Sequence, residues 1–176
     1  MIDDAGKEIG ELIRGVGTKG RSTTYKLKFN SGKRSLNLNS EVTLYDSKMA
    51  RSANLSIEGA EQIIYGDLNI PVEITSQYSG FGELVLDESL AYFKNSPKLG
   101  KVDGNIGYWV RYEEYYKDYG GQSVNLKKFW EAGKSYEEAA FETFTGQWAK
   151  KNGFTKVVFD PKRKIERNQV VAKFLK

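Results

Sequence analysis

The segment that most constrains the fold covers residues 135–159 and reads SYEEAAFETFTGQWAKKNGFTKVVF. Ser135 with Glu138 three residues later matches the capping box that begins many helices. Acidic side chains near the start and lysines near the end suit the helix dipole. Asn152-Gly153 then supplies the left-handed stop at which helices commonly end. The segment therefore predicts one helix, a glycine stop and a strand over residues 155–160.

Two stripes run along this predicted helix at a spacing of about 100° per residue. The apolar stripe faces a core and consists of Tyr136, Ala140, Phe144 and Trp148, with Phe141 beside it. The second stripe consists of Ala139, Thr143, Gly146 and Lys150. Its small residues allow a close approach to the helix backbone. The approaching group is either a neighbouring strand or helix, or a ligand in a groove floored by Thr143 and Gly146 and flanked by Thr145, Gln147 and Lys150.

The composition excludes several kinds of chemistry. The chain has 176 residues, of which 39% are hydrophobic, enough for the core of one domain. It contains no cysteine and no histidine, which excludes disulfides, thiolate chemistry, serine–histidine pairs and zinc sites built from Cys or His. Catalysis would have to use carboxylates, Lys, Arg, Tyr, Ser or Thr, or a metal held by oxygen atoms. We expect no cofactor and no metal, and, with no 18-residue apolar run, no membrane.

The charge is unevenly distributed along the chain. Residues 61–120 carry 5 basic and 10 acidic side chains, whereas residues 121–176 carry 12 basic and 6 acidic ones. A basic C-terminal third is compatible with nucleic-acid binding. The acidic residues 61–120 argue against a protein that surrounds nucleic acid with a uniformly basic surface.

The order of elements predicts the fold class. Alternation predicts a β-hairpin over residues 23–39 and an aromatic strand over residues 108–112. A glycine-containing loop over residues 76–82 precedes a short helix that Asp87 or Ser89 opens. Because strands come first, then helices, then a strand pair, we predict an α+β fold. It has a largely antiparallel sheet with two or three helices in the C-terminal half.

Glycine content suggests where the chain is divided. Four glycines between Gly10 and Gly20 mark residues 1–21 as a linker or joint to a parent chain, in which a short helix or loose hairpin is possible. Residues 22–176 are predicted to form a single domain. Pro97 and several glycines make residues 95–107 a possible internal joint.

One constellation could cleave RNA without histidine. Arg111 lies among Tyr108, Trp109 and Tyr112, and an arginine among aromatic rings can hold a phosphate while bases stack nearby. RNA cleavage needs a base for the 2′-hydroxyl, a cation for the phosphate and an acid for the leaving oxygen. The predicted catalytic residues are Arg111, Glu142, Thr143, Thr145 and Lys150. The predicted nucleic-acid-binding residues are Tyr108, Lys151, Lys162, Arg163, Lys164 and Arg167, of which the last four form a basic turn that a solvated hairpin tip would also explain.

The sequence patterns of two other enzyme classes are matched only in part. Glu137 or Glu138 followed by Asp160 resembles the opening of a restriction-endonuclease-like core, but no carboxylate-x-lysine strand follows. ADP-ribosyltransferases pair an arginine or histidine strand with a Ser-Thr-Ser strand and a late Glu-x-Glu. Here only residues 73–76 and Glu113-Glu114 resemble that pattern.

Residues 137–159 also resemble C-terminal toxin domains of bacterial polymorphic toxins, of the Rhs and contact-dependent inhibition type. The residues that carry this resemblance are Ala139, Ala140, Thr143, Thr145, Gly146, Gly153 and Phe154. The opening IDDAGKEIG is similar to the Asp-x-x-Gly-Lys tail by which such domains leave a repeat core. The match covers about 25 residues. The histidine-bearing nuclease signatures of these toxins are absent.

The resemblance implies a secreted or contact-delivered effector that acts in the cytoplasm of a target bacterium and is neutralised by a cognate immunity protein. Nucleases are the commonest activity among such domains. The sequence therefore favours a metal-independent ribonuclease with RNA as substrate. The alternatives are an ADP-ribosyltransferase toxin domain and a non-enzymatic module that binds nucleic acid or protein.

Overall fold

A computed structural model of the chain describes residues 8–30, 35–53, 55, 60–68, 70–71, 74, 80–99, 102, 106–113, 126–159 and 169–176. Seven strands and five helices lie in these ranges. The chain forms two compact units, Met1–Leu44 with Gly66–Val102, and Tyr45–Tyr65 with Asp103–Lys176. The α+β class with a largely antiparallel arrangement of strands is confirmed.

The first unit contains an antiparallel meander of three strands, β1 (Gly10–Val16), β2 (Ser22–Phe29) and most of β3 (Ser35–Asp46). The predicted hairpin is present in β2 and β3. In β2, Tyr25 and Leu27 are buried while the lysines between and after them are exposed, as period-two alternation requires. β1 arises within the predicted linker and pairs along its whole length with β2.

Helix α2 (Phe81–Asn95) packs on the buried side of this meander. It begins earlier than the sequence predicted, directly after Gly80, whose φ of 73° turns the chain into the helix. Phe81, Val85 and Phe93 are buried on one side of α2. Phe81 falls within the loop predicted over residues 76–82, so the buried side of the helix begins before the predicted end of that loop. That buried side, rather than a capping side chain, sets where the helix starts.

The second unit contains most of β4 (Gln62–Leu68) and, in spatial order after it, β5 (Ile106–Glu113), β7 (Gln169–Leu175) and β6 (Lys156–Phe159). β4 and β5 are parallel through Gln62–Tyr65, whereas β7 is antiparallel to both of its neighbours. The strand pair predicted at the C-terminus is therefore present, but β7 lies between β6 and the aromatic strand β5.

Four short helices belong to this unit: α1 (Ser47–Ser52), α3 (Leu126–Glu131), α4 (Tyr136–Glu142) and α5 (Phe144–Lys151). Phe141 of α4 packs against Phe174 of β7, with ring centroids 5.2 Å apart. The adjacent Leu175 packs instead against the cluster of Ala50, Leu55 and Ile63, to which α1 contributes. Because successive strand residues point to opposite faces, α4 covers one face and α1 part of the other.

The long helix predicted over residues 135–151 is two helices that meet at Thr143. The predicted ends are correct: Ser135 and Glu138 form both hydrogen bonds of the capping box, and Gly153 has a φ of 83°. The predicted continuity is wrong, because Thr143 is extended, with a ψ of 159°. Its hydroxyl begins a new helix by accepting a hydrogen bond from the Gly146 N–H at 3.0 Å.

Among the residues that the structure describes, no helix is long and apolar enough to cross a membrane. The basic turn, with Lys162, Arg163, Lys164 and Arg167, lies outside the described ranges.

Candidate functional site

The predicted ligand groove over Thr143 and Gly146 is filled by the chain itself. Thr143 is fully buried, and its hydroxyl donates to the Ala140 carbonyl at 2.7 Å while it caps α5. A Cβ on Gly146 would overlap the Ala140 carbonyl and come within 2.6 Å of the Phe141 Cα. The small residues therefore serve the close approach of α4 to α5, which is the packing interpretation of this stripe. Thr143 and Gly146 offer no floor to a ligand.

The other predicted residues of this region lie at the surface of α4 and α5. Glu142 Oε1 accepts a hydrogen bond from Lys134 Nζ at 2.8 Å, and both side chains are partly exposed. Such a pair contributes at most about 1 kcal/mol to stability because solvent screens it. Thr145 is half-buried, while Lys150 and Lys151 are exposed in the last turn of α5.

The register of β5 separates Arg111 from these residues. Tyr108 pairs with Phe174, on the face that α4 covers, whereas Arg111 pairs with Val171. Directly paired residues share a face, and residues three apart on a strand lie on opposite faces. Arg111 therefore takes a register position on the face opposite α4. The sequence grouped Arg111 with Glu142 and Lys150, but the sheet stands between them.

The same alternation assembles a different set of residues. Trp109, Arg111 and Glu113 occupy every second position of β5, so their register positions share the face that lies opposite α4. Of the aromatic residues that the sequence grouped with Arg111, Tyr108 takes a register position on the other face and Trp109 one on the same face. The sequence pattern did not group Glu113 with Arg111, whereas the register places both on one face. The period-two pattern of IGYWVRYE was the signal that could have found it.

Neighbouring strands extend this face on either side of Trp109. Trp109 pairs with Lys173 on β7 and with Tyr65 on β4, and Lys173 pairs in turn with Val158 on β6. We call Tyr65, Trp109, Lys173 and Val158 the cross-strand row. Val158 is 46% exposed and Lys156 on the same face of β6 is exposed, so the row is open at the β6 edge.

A cleft of about 440 Å³ lies in the first unit, beside the last turn of α2. Its lining includes Arg14, Tyr92, Asn95 and Lys98. The Arg14 guanidinium lies 4.8 Å from the centre of the Tyr92 ring and 3.6 Å from a carboxylate oxygen of Glu88. The cation is thus already matched by a carboxylate and a ring. The negative end of the α2 dipole also disfavours an anion there.

The described part of the chain holds no group of three or more Asp and Glu side chains arranged to bind a metal ion. The fold thus defines the chain as an α+β protein in which one face of β5 carries the register positions of Trp109, Arg111 and Glu113. Searches of family models, curated proteins and solved structures found no match to the chain.

Proposed function

We propose that this chain is an antibacterial toxin domain that acts as a histidine-independent, metal-independent ribonuclease. The observation that carries the proposal is the register of β5, which gives Trp109, Arg111 and Glu113 positions on one sheet face. A cation that binds the phosphate and a carboxylate that accepts the 2′-hydroxyl proton are two of the three groups that RNA cleavage needs in the absence of imidazole, and the third is an acid for the leaving oxygen.

The proposed reaction is an attack of the RNA on its own phosphate. Glu113 takes the proton of a 2′-hydroxyl, the 2′-oxygen forms a bond to the adjacent phosphorus, and the bond to the 5′-oxygen of the next nucleotide breaks. Arg111 stabilises the charge that builds on the phosphate oxygens. The leaving 5′-oxygen receives a proton from Lys173. The products are a 2′,3′-cyclic phosphate and a free 5′-hydroxyl.

The cellular setting follows from the resemblance of residues 137–159 to polymorphic toxin domains. The effector is secreted or delivered by contact and acts on RNA in the cytoplasm of the target bacterium. A cognate immunity protein neutralises it, and the excess of acidic residues over basic ones in the sequence from 61 to 120 favours contacts with that protein or with a carrier.

The first experiment is tightly controlled expression of the chain in a bacterial cytosol, followed by growth measurement and by gels of total RNA and DNA. We expect growth arrest with discrete RNA fragments. Growth arrest with intact RNA and DNA would instead favour the ADP-ribosyltransferase alternative, which requires NAD. Normal growth with abundant soluble protein would overturn the toxin proposal and leave a binding module.

Two matched carboxylate variants locate the site. Glu113→Gln should abolish RNA cleavage and toxicity, whereas Glu142→Gln should retain both, because Glu142 pairs with Lys134 in the helical layer on the opposite face. Arg111→Ala should behave like Glu113→Gln. Full activity of folded Glu113→Gln and loss of activity in Glu142→Gln would return the site to α4.

A further inference from the structure

We propose that β1 is an interface at which a second copy of the chain pairs, strand to strand, to form a symmetric dimer. Among the described strands, β1 (Gly10–Val16) lies at one end of the sheet order and pairs only with β2. Two of its apolar side chains remain in solvent, since Ile13 is 40% exposed and Val16 is 47% exposed. An apolar strand that is paired on one side offers a template for a further strand.

The backbone groups of alternate residues in β1 point to this open edge. The Gly17 N–H donates a hydrogen bond to the Ser22 carbonyl at 2.9 Å, and the register of β1 with β2 runs without a shift along the whole strand. Odd-numbered residues of β1 therefore form the hydrogen-bonded pairs with β2. Because an antiparallel ladder alternates, the N–H and C=O groups of Leu12, Arg14 and Val16 point away from β2. The group that satisfies such a row is another extended backbone.

The seven described residues of β1 lack the features that usually protect an edge strand. Proteins protect such edges with lysines, prolines, bulges or very short strands. The segment GELIRGV has no lysine and no proline, and its pairing with β2 has no bulge. Its one cation is held on the α2 side, where the Arg14 guanidinium lies 4.8 Å from the centre of the Tyr92 ring and 3.6 Å from a carboxylate oxygen of Glu88. The edge of β1 is therefore open to a partner strand.

The symmetry of a dimer selects both the partner and the register. In an antiparallel pair of identical strands, the two-fold axis places one residue opposite its own copy. Ile13 is the midpoint of β1, so all seven residues can pair only when Ile13 lies on the axis. Leu12 then exchanges hydrogen bonds with Arg14 of the other copy. The strand carries one acidic and one basic residue, so its net charge is zero and two copies do not repel each other.

The Ile13 pair at the centre would be the closest side-chain contact of this interface. Ile13 bonds to β2, so opposite its own copy it forms a non-hydrogen-bonded pair, the arrangement in which side chains approach most closely. The exposed apolar surface of Ile13 is thereby removed from water. An axis at Arg14 would instead place two like charges directly opposite each other, which is destabilising.

Sedimentation velocity of the purified full chain over a range of concentrations measures the dimer. We expect a monomer–dimer equilibrium, which Ile13→Lys should weaken by at least about tenfold because it puts two like charges on the axis. Val158→Lys is the matched control, since Val158 is 46% exposed on β6, a strand of four residues that the exposed Lys156 already protects. It should dimerise as the parent does. A parent that stays monomeric, or equal losses in the two variants, would overturn the proposal.

A cross-link tests the register without relying on the lysine variant. The chain has no cysteine, so Ile13→Cys introduces a single thiol. The two Cα atoms of a non-hydrogen-bonded pair lie about 4.5 Å apart, within the range of a disulfide. Mild oxidation should therefore produce a covalent dimer. Glu11→Cys is the control on the same face of β1, because its two copies would lie about 14 Å apart along the strands. No cross-link in Ile13→Cys, or equal cross-linking of both variants, would contradict the assigned register and the interface.

Discussion

Thr143 shows how one side chain decides whether a helix continues. Its hydroxyl donates to the Ala140 carbonyl and accepts from the Gly146 N–H, so it ends α4 and begins α5 in a single position. Threonine competes with the helical backbone for hydrogen bonds and is favoured at N-caps for that reason. The absence of a side chain at Gly146 then lets α5 lie close to the backbone of α4.

We expect Thr143→Val to lower the free energy of unfolding by about 1–2 kcal/mol, because valine keeps the shape but cannot cap α5. Urea unfolding followed by circular dichroism measures this loss. Thr143→Ser keeps the hydroxyl and should lie close to the parent. If Thr143→Val and the parent unfold together, the hydroxyl does not stabilise the break.

At the scale of elements, the start of α4 is a complete capping box. The pKa of Glu138 is lowered, chiefly because its carboxylate accepts a hydrogen bond from the Ser135 backbone N–H, with further help from the Ser135 side chain. A lowered pKa in the folded state stabilises the fold above the unfolded value of 4.5. This contribution is lost as the pH falls through the lower, folded value.

The urea midpoint of Glu138→Gln should therefore be lower than that of the parent at neutral pH. The two midpoints should approach each other at acidic pH. Unfolding curves collected from neutral pH down to below 4.5 test this. Glu137→Gln removes a charge from the same first turn and is the control. An equal shift of the midpoint at every pH would show that charge on Glu138 does not matter to the cap.

The attachment of α2 to β2 rests on a buried group of three hydroxyls. Ser89 donates to the Val85 carbonyl at 2.7 Å, and its oxygen lies 2.9 Å from the Tyr25 hydroxyl and 3.0 Å from that of Thr23. All three of these residues are at most 1% exposed. A polar group in such a place is costly if it loses its partner.

Ser89→Ala should lower the free energy of unfolding by about 1–3 kcal/mol, because it leaves the hydroxyls of Tyr25 and Thr23 without their shared partner. Tyr25→Phe should lower the free energy of unfolding by less in the Ser89→Ala background than in the parent. A double-mutant cycle by urea unfolding measures this coupling. Additive losses would mean that Tyr25 and Ser89 do not interact in solution.

At the scale of the whole molecule, composition sets limits that no local structure changes. With no histidine or cysteine, the proposed ribonuclease has only carboxylates, lysines, arginines and hydroxyls to use. We expect RNA cleavage by the purified chain to survive exhaustive treatment with EDTA. A loss of cleavage that Mg²⁺ restores would replace the proposed mechanism with a metal-dependent one.

The sequence by itself determined the features that depend on neighbouring residues. The capping box at Ser135, the left-handed stop at Gly153 and the alternation of β2 are local, and each is present. The α+β class also followed from the order of elements. These features need only backbone dihedral preferences and hydrogen bonds within a few residues, which short segments specify.

Only the tertiary structure decided which side chains share a surface. The pattern around Arg111 is equally compatible with a site on either face of β5, and the pairing of that strand with β7 is what separates Arg111 from Glu142. Likewise, a glycine at position 146 predicts that another group lies close to the backbone, but only the structure shows that this group is the end of α4. Strand order and register are set by pairings between residues far apart in the chain, so no local pattern contains them.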